Sequence, residues 1–167
     1  SAERISAELT LLLTEGGVVR GLQLMDESGL LQAVLPEVAA MRGVEQPPQF
    51  HPEGDVWTHV KLLFEHLDAP GADLAWGVLL HDIGKPPTFA ITDRIRFNSH
   101  DAVGAKMAAE ICQRLRMSNA ATESTMIASA FVDSVWVARR VGSSPFIIQT
   151  AGSRRIPVPD SRRHPSF

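Results

Sequence analysis

Hydrophobic positions fall at helical spacing through most of the chain. In ERISAELTLLL (3–13), Ile5, Leu9, Leu12 and Leu13 recur at i, i+4, i+7 and i+8, which is one stripe on a helix. TEGG (14–17) ends that stripe, and a second helix is expected over Val18 to Asp26. ESGLLQAVLPEVAAMRG (27–43) predicts one or two short helices around Pro36, and VEQPPQFHPEGD (44–55) is a proline-rich loop closing on an acidic helix start. DVWTHVKLLFEHL (55–67) sets Val56, Val60, Leu63 and Leu67 on one face, with Asp55 as its N-cap. DAPGAD (68–73) is a turn. LAWGVLLHDIG (74–84) is apolar nearly all round, the pattern of a central buried helix.

The pattern then changes period. AITDRIRFNSH (90–100) alternates Ile91, Ile95 and Phe97 with polar residues, as a short hairpin or an extended loop does. DAVGAKMAAEICQRLR (101–116) returns to helix, with Asp101 as the expected N-cap, and the segment 118–141 opens on a capping signal and continues as helix. Residues 142–167 carry no periodicity and form an irregular tail; RIPVPDSRRHPSF (155–167) is compatible with vector-encoded residues. Trp57, Phe64 and Trp76 are assigned to the core, and Met107, Met117 and Met126 to its gaps. The expected fold class is all-α with a short hairpin-like loop.

Composition narrows the partners. A net charge of −3 with 21% charged residues gives no whole-chain attraction to nucleic acid or to an anionic membrane. No apolar run approaches the ~18 residues of a membrane helix, and the start lacks a signal-peptide layout, so no membrane partner and a cytoplasmic location are expected. The single cysteine, Cys112, excludes an internal disulfide.

The candidate chemistry lies in GVLLHDIGKPPTF (77–89), where an apolar helix runs into His81, Asp82 and Lys85. A buried histidine and carboxylate side by side are costly to desolvate without compensation. His59 lies on the helix expected to pack against this one, and His100 ends the hairpin-like segment. Imidazole and carboxylate donors from packed helices suit a first-row divalent cation. Nickel, manganese, cobalt and magnesium are the candidates, and the histidines favour a transition metal. His66 is an ordinary surface histidine, and His51 flanks the site without ligating.

The strings FHPEGDVWTHV, LLHDIGKP, RFNSHDAVGAKMA and RLRMSNAATE together resemble the HD-domain metal-dependent phosphohydrolase superfamily. The resemblance is nearest to the neck plus HD region of bacterial CCA-adding enzymes and poly(A) polymerases, whose neck ERISAELTLLL and GLQLMDESGLLQAVLPEV resemble. It spans about residues 3 to 123. It implies an HD-type helical bundle over 47–141 behind a helical neck over 1–46. The nucleotidyltransferase head of those enzymes has no counterpart here, so nucleotide addition to tRNA is not expected. By this resemblance the metal ligands are His59, His81 and Asp82. Asp133 is the candidate for the distal aspartate, with a solvated helix carboxylate as the competing reading.

The resemblance implies hydrolysis of phosphate esters by a metal-activated water, with 2′,3′-cyclic nucleotides such as 2′,3′-cyclic AMP as first choice. Lys85 and His100 are assigned to neutralise the phosphate or protonate the leaving oxygen, and Arg94 and Arg96 are runner-up phosphate contacts, with a solvated loop as the competing reading. Two rivals stand beside this reading. One is a non-catalytic RNA- or protein-binding module with a degenerate HD site, in which Arg114, Arg116, Arg139 and Arg140 are candidates to touch a phosphate backbone, with a solvated helix face as the competing reading. The other is a fragment of a larger enzyme whose exposed neck drives self-association into an oligomer.

Overall fold

The structure is a computed structural model that describes the backbone of residues 1–140 and the side chains of residues 1–132. The expected tail, 142–167, and the side chains of Asp133, Arg139 and Arg140 lie outside the described residues. Among the described residues no helix is long and apolar enough to cross a membrane.

The expected helices form, and a short one outside the expectation, over residues 85–88, is added. They are α1 (Ala2–Thr14), α2 (Val18–Glu27), α3 (Leu30–Val34), α4 (Pro36–Ala39), α5 (Val56–Glu65), α6 (Ala72–Leu80), α7 (Lys85–Thr88), α8 (His100–Arg114) and α9 (Asn119–Arg140). Pro36 separates α3 from α4 by standing at the first position of α4, where its missing N–H costs no hydrogen bond. The segment 90–100 is a hairpin: β1 (Phe89–Ile91) pairs antiparallel with β2 (Ile95–Phe97), Phe89 opposite Phe97 and Ile91 opposite Ile95.

Asp55 caps α5 as expected, its Oδ1 accepting the Thr58 amide at 2.8 Å. Its Oδ2 accepts the Gly43 amide at 2.6 Å, so one carboxylate both starts α5 and fastens the end of the preceding helical region to it. The Val56 amide adds a bond to the Val44 carbonyl at 3.0 Å. The loop from 44 to 55 is thereby closed at its base.

Two expectations are corrected. α6 does not run to Gly84; it stops at Leu80, a turn covers 81–84, and α7 begins at Lys85. Pro86 and Pro87 fit only the first turn of a new helix, where no amide donor is required. Asp101 does not cap α8. Ser99 holds that position in a left-handed conformation (φ 59°), the helix already includes His100, and Asp101 lies in the first turn, where its charge favours the helix dipole.

One continuous core runs from Leu9 and Leu13 through Leu31, Leu35 and Val60 to Leu79, Ile83, Ile111 and Val132. The indole N–H of Trp76 donates to Thr10 Oγ1 at 3.0 Å, tying α6 to α1. Trp57, Phe64 and Trp76 are buried, and Met107, Met117 and Met126 fill the margin of the core, as expected. Glycines set two close approaches. A Cβ on Gly77 would lie 2.7 Å from the Ala128 Cβ on α9, and one on Gly84 would overlap the His100 carbonyl oxygen and lie 2.6 Å from the Gly104 amide nitrogen on α8. The second contact seats the start of α8, and with it His100, against the 81–84 turn.

Candidate metal centre

Two helices and one turn deliver the candidate residues. His59 comes from the middle of α5, His81 and Asp82 from the turn that ends α6, and Lys85 from the first residue of α7. His59, Asp82, Lys85 and His81 are all buried. One ligand-capable atom from each of His59, His81 and Asp82 lies within 4.8 Å of the others. The rings of His59 and His81 stand 5.6 Å apart, centre to centre.

Hydrogen bonding fixes which imidazole nitrogen carries the lone pair. His81 Nδ1 donates to the Val78 carbonyl at 2.8 Å, so in the neutral ring Nε2 is the lone-pair atom. That Nε2 lies 3.2 Å from Asp82 Oδ2. An unprotonated ring nitrogen this close to a carboxylate oxygen is unfavourable unless a cation lies near both. His59 Nδ1 donates to Glu53 Oε1 at 2.7 Å, which makes its Nε2 the lone-pair atom too. Asp82 Oδ1 is buried with no hydrogen-bond partner among the described residues. Two imidazole lone pairs and an unsatisfied carboxylate oxygen are a donor set for a divalent cation.

The charges point the same way. Burial, reinforced by the neighbouring His81, holds the His59 imidazole down to about 4, so it is neutral and able to ligate at pH 7. Burial by itself would push the Asp82 carboxyl up; a positive charge at His81, whether a proton or a cation held there, and the Lys85 ammonium outweigh it and hold the group below the usual carboxylate range. Burial opposes ionisation of Glu53 as well, and its own backbone amide with His51 and His59 more than offsets it.

Lys85 Nζ donates to Asp82 Oδ2 and to Gln46 Oε1, both at 2.7 Å, and lies 5.7 Å from the centre of the Phe97 ring. Beside it is a pocket of about 230 Å³ lined by Gln46, Pro47, Phe50, His51, Lys85, Phe97 and His100. The larger cavity, about 450 Å³, lies between the α1–α2 turn and the end of α5, and none of these titratable groups lines it. Size therefore does not mark the site; donor chemistry does.

Of the residues singled out in the sequence, His59, His81, Asp82 and Lys85 are brought together, and His100 borders the same pocket, its Nδ1 donating to the Phe97 carbonyl at 2.9 Å. Arg94 and Arg96 are not among the pocket's lining residues; Arg96 is forked onto Asp93 at 2.8 and 3.1 Å on the hairpin. Arg114 and Arg116 are paired with Glu37 and Glu3, each at 2.8 Å, as surface residues. His66, exposed, donates to the Leu62 carbonyl. The side chain of Asp133 lies outside the described residues.

Sequence reasoning missed Glu53 and Gln46. Glu53 Oε1 accepts from both His59 and His51, the latter at 3.0 Å, and with them makes a second group of ligand-capable atoms. The segment QPPQFHPEGD (46–55) carries one signal, a glutamate and a histidine flanking a proline next to an acidic helix start.

Comparison with known proteins identifies two family regions in the chain. Residues 1–42 match the family described as the probable RNA and SrmB-binding site of polymerase A, and residues 55–132 match the HD domain. The chain is 40% identical over 125 residues to an A-adding tRNA nucleotidyltransferase of Deinococcus radiodurans, covering 71% of this chain and 28% of that protein. It is 36% identical over 116 residues to a multifunctional CCA protein of Alkalilimnicola ehrlichii, covering 68% of this chain and 28% of the other. For the multifunctional CCA protein of Cupriavidus metallidurans the figures are 34% over 128 residues, 75% and 30%. The chain thus spans less than a third of the length of these relatives.

Proposed function

We propose that this chain, an HD domain behind a neck of the polymerase A type, is a metal-dependent phosphohydrolase acting on small phosphodiesters. The observation that carries the proposal is the convergence of His59, His81 and Asp82, with the carboxylate oxygen Oδ1 of Asp82 buried and unsatisfied. In this reading His59, His81 and Asp82 hold the ion, and Asp133 is the fourth ligand. Histidine donors favour nickel, manganese or cobalt over magnesium. When bound, such an ion supplies an activated water and neutralises charge on a phosphoryl oxygen.

The chain's own residues do the rest. Glu53 fixes the tautomer and orientation of His59, as carboxylates behind metal-binding histidines commonly do. Lys85 holds Asp82 ionised and presents a buried positive charge at the wall of the pocket. His100, with Nδ1 tied to a carbonyl, has Nε2 available to hold or pass a proton at the leaving oxygen. Cyclic 2′,3′-nucleotides are the first substrates to test.

The test is hydrolysis of 2′,3′-cyclic AMP and bis-p-nitrophenyl phosphate by metal-stripped protein, with nickel, manganese or magnesium restored and Asp82→Ala as control. Turnover that returns with metal and is lost in Asp82→Ala is the expected result. Folded protein without turnover under any metal refutes the enzymatic reading.

A second reading follows from the neck. Its match to an RNA-binding region supports RNA as a partner, either beside hydrolysis or in place of it. Binding of a short RNA whose affinity falls steeply with salt is the expected signature, and salt-independent or absent binding removes RNA from the partners.

A further inference from the structure

Gln46 is 4% exposed and holds two roles apart at its two amide atoms. Its Oε1 accepts from Lys85 Nζ at 2.7 Å. An ammonium group has only donors, so this contact fixes the amide orientation: oxygen toward Lys85, nitrogen away. The Nε2 group is buried and has no hydrogen-bond partner among the described residues. A buried amide donor left unsatisfied costs about 1–3 kcal/mol, and native proteins rarely carry one without a reason. Gln46 also lines the 230 Å³ pocket, together with Lys85, His51 and His100.

The donor inventory of that pocket defines its ligand. Lys85 brings an ammonium group, Gln46 an amide donor, and His51 and His100 two imidazoles; no carboxylate is among its described lining residues, Asp82 and Glu53 standing behind Lys85 and His51. This set accepts an oxyanion. The other described lining residues, Pro47, Phe50 and Phe97, are apolar, the two phenylalanine rings are flat, and Phe50 is 67% exposed as a residue. They offer surface to a ring on the oxyanion, by stacking or edge contact. Because Lys85 binds Asp82 directly, an anion here is one hydrogen-bonded residue away from the candidate metal ligands.

We propose that Gln46 is a substrate-binding residue, whose Nε2 donates to a phosphoryl oxygen of an ester bearing a flat ring seated on Phe50 and Phe97. The proposal rests on the phosphohydrolase reading for its site but extends it to a residue and a ligand shape. Gln46 has two functions that substitutions separate. Gln46→Glu keeps an acceptor for Lys85, removes the donor and adds a charge. Gln46→Met keeps the charge balance and removes both the donor and the acceptor. Loss of the Nε2 donor is the one change common to the two.

The experiment is calorimetric titration of phenylphosphonate and methylphosphonate, which carry the oxyanion but cannot be turned over as esters, into wild type and both variants with manganese present. Expected are tighter binding of phenylphosphonate than methylphosphonate by wild type, and weaker phenylphosphonate binding in both variants. The weakening should be about tenfold to a hundredfold, the effect of one hydrogen bond to a charged group. Either variant, if folded and binding phenylphosphonate like wild type, overturns the role of Gln46, so the test stands even when only one of the two folds. Equal binding of the two phosphonates by wild type overturns the ring surface. Assay of bis-p-nitrophenyl phosphate in parallel separates the two readings. Turnover with Gln46-independent binding defeats this inference alone, and Gln46-dependent binding without turnover defeats hydrolysis alone.

Discussion

Two ion pairs in this protein are nearly twins in sequence and length. Asp82 and Lys85 are three residues apart and 2.7 Å apart in space; Asp93 and Arg96 are three residues apart and 2.8 Å apart. The first pair is buried in the interior, while the second stands on the hairpin with Asp93 largely exposed. Water and salt screen the hairpin pair, and its removal costs nothing that solvent does not restore. The interior pair has no such relief. Each charge there is tolerable only through its neighbours, and the neighbours are the candidate ligands and the pocket wall. Contact distance is thus a poor guide to consequence; desolvation decides it.

Substitution sharpens this contrast. Lys85→Met leaves Asp82 charged and buried without its ammonium, and should destabilise the metal-free protein by about 3–5 kcal/mol. Urea unfolding reads this directly. Manganese should recover part of the loss, because a cation again faces Asp82; a loss under about 1 kcal/mol would break the comparison.

A smaller effect is expected at Glu53→Gln. It preserves shape but weakens the acceptor that orients His59, so metal affinity should fall about tenfold to a hundredfold. Competition against a chelating dye measures it. Unchanged affinity would mean that packing alone orients His59.

Asp55→Ala comes next, at about 1 kcal/mol for a lost N-cap. This carboxyl lies below its ordinary value: burial pushes it up, and the hydrogen bonds from Thr58 and Gly43 outweigh that. A depressed carboxyl contributes stability that is complete above its unfolded value and is lost as pH falls through the folded one. The advantage of wild type over Asp55→Asn should therefore be full at neutral pH and shrink as pH drops below about 4. Chemical denaturation at pH 7 and pH 3 tests the sign, and a gap that widens in acid contradicts it.

The smallest effect belongs to the exposed twin. Arg96→Met should leave the unfolding midpoint within error at physiological salt. A shift comparable to that of Lys85→Met would mean that burial does not separate the two pairs.

Much of the site is legible in the sequence because its signals are local. Asp55 precedes an apolar helix stripe, and His81, Asp82 and Lys85 lie within one turn of chain, at the end of a helix too apolar to be anything but central. Glu53 and Gln46 are not legible, since nothing periodic links Glu53 to His59 or Gln46 to Lys85, 39 residues away. Arg94 and Arg96 show the converse. Their charge suggests phosphate contact, yet neither borders the pocket, and Asp93 holds Arg96.

The sequence by itself determined the longer helices, the change to alternation over 90–100, the cap at Asp55 and the residues able to ligate a cation. These follow from spacing and side-chain chemistry, which a chain carries before it folds. Only the tertiary structure decided which charges are desolvated, which nitrogen of each histidine carries the lone pair and which amide lacks a partner among the described residues. Those properties depend on what surrounds an atom in space. Here the surroundings come from the Gly84–Gly104 approach, which seats α8, and from the closure of the 44–55 loop, which brings Gln46 to Lys85 and Glu53 to His59.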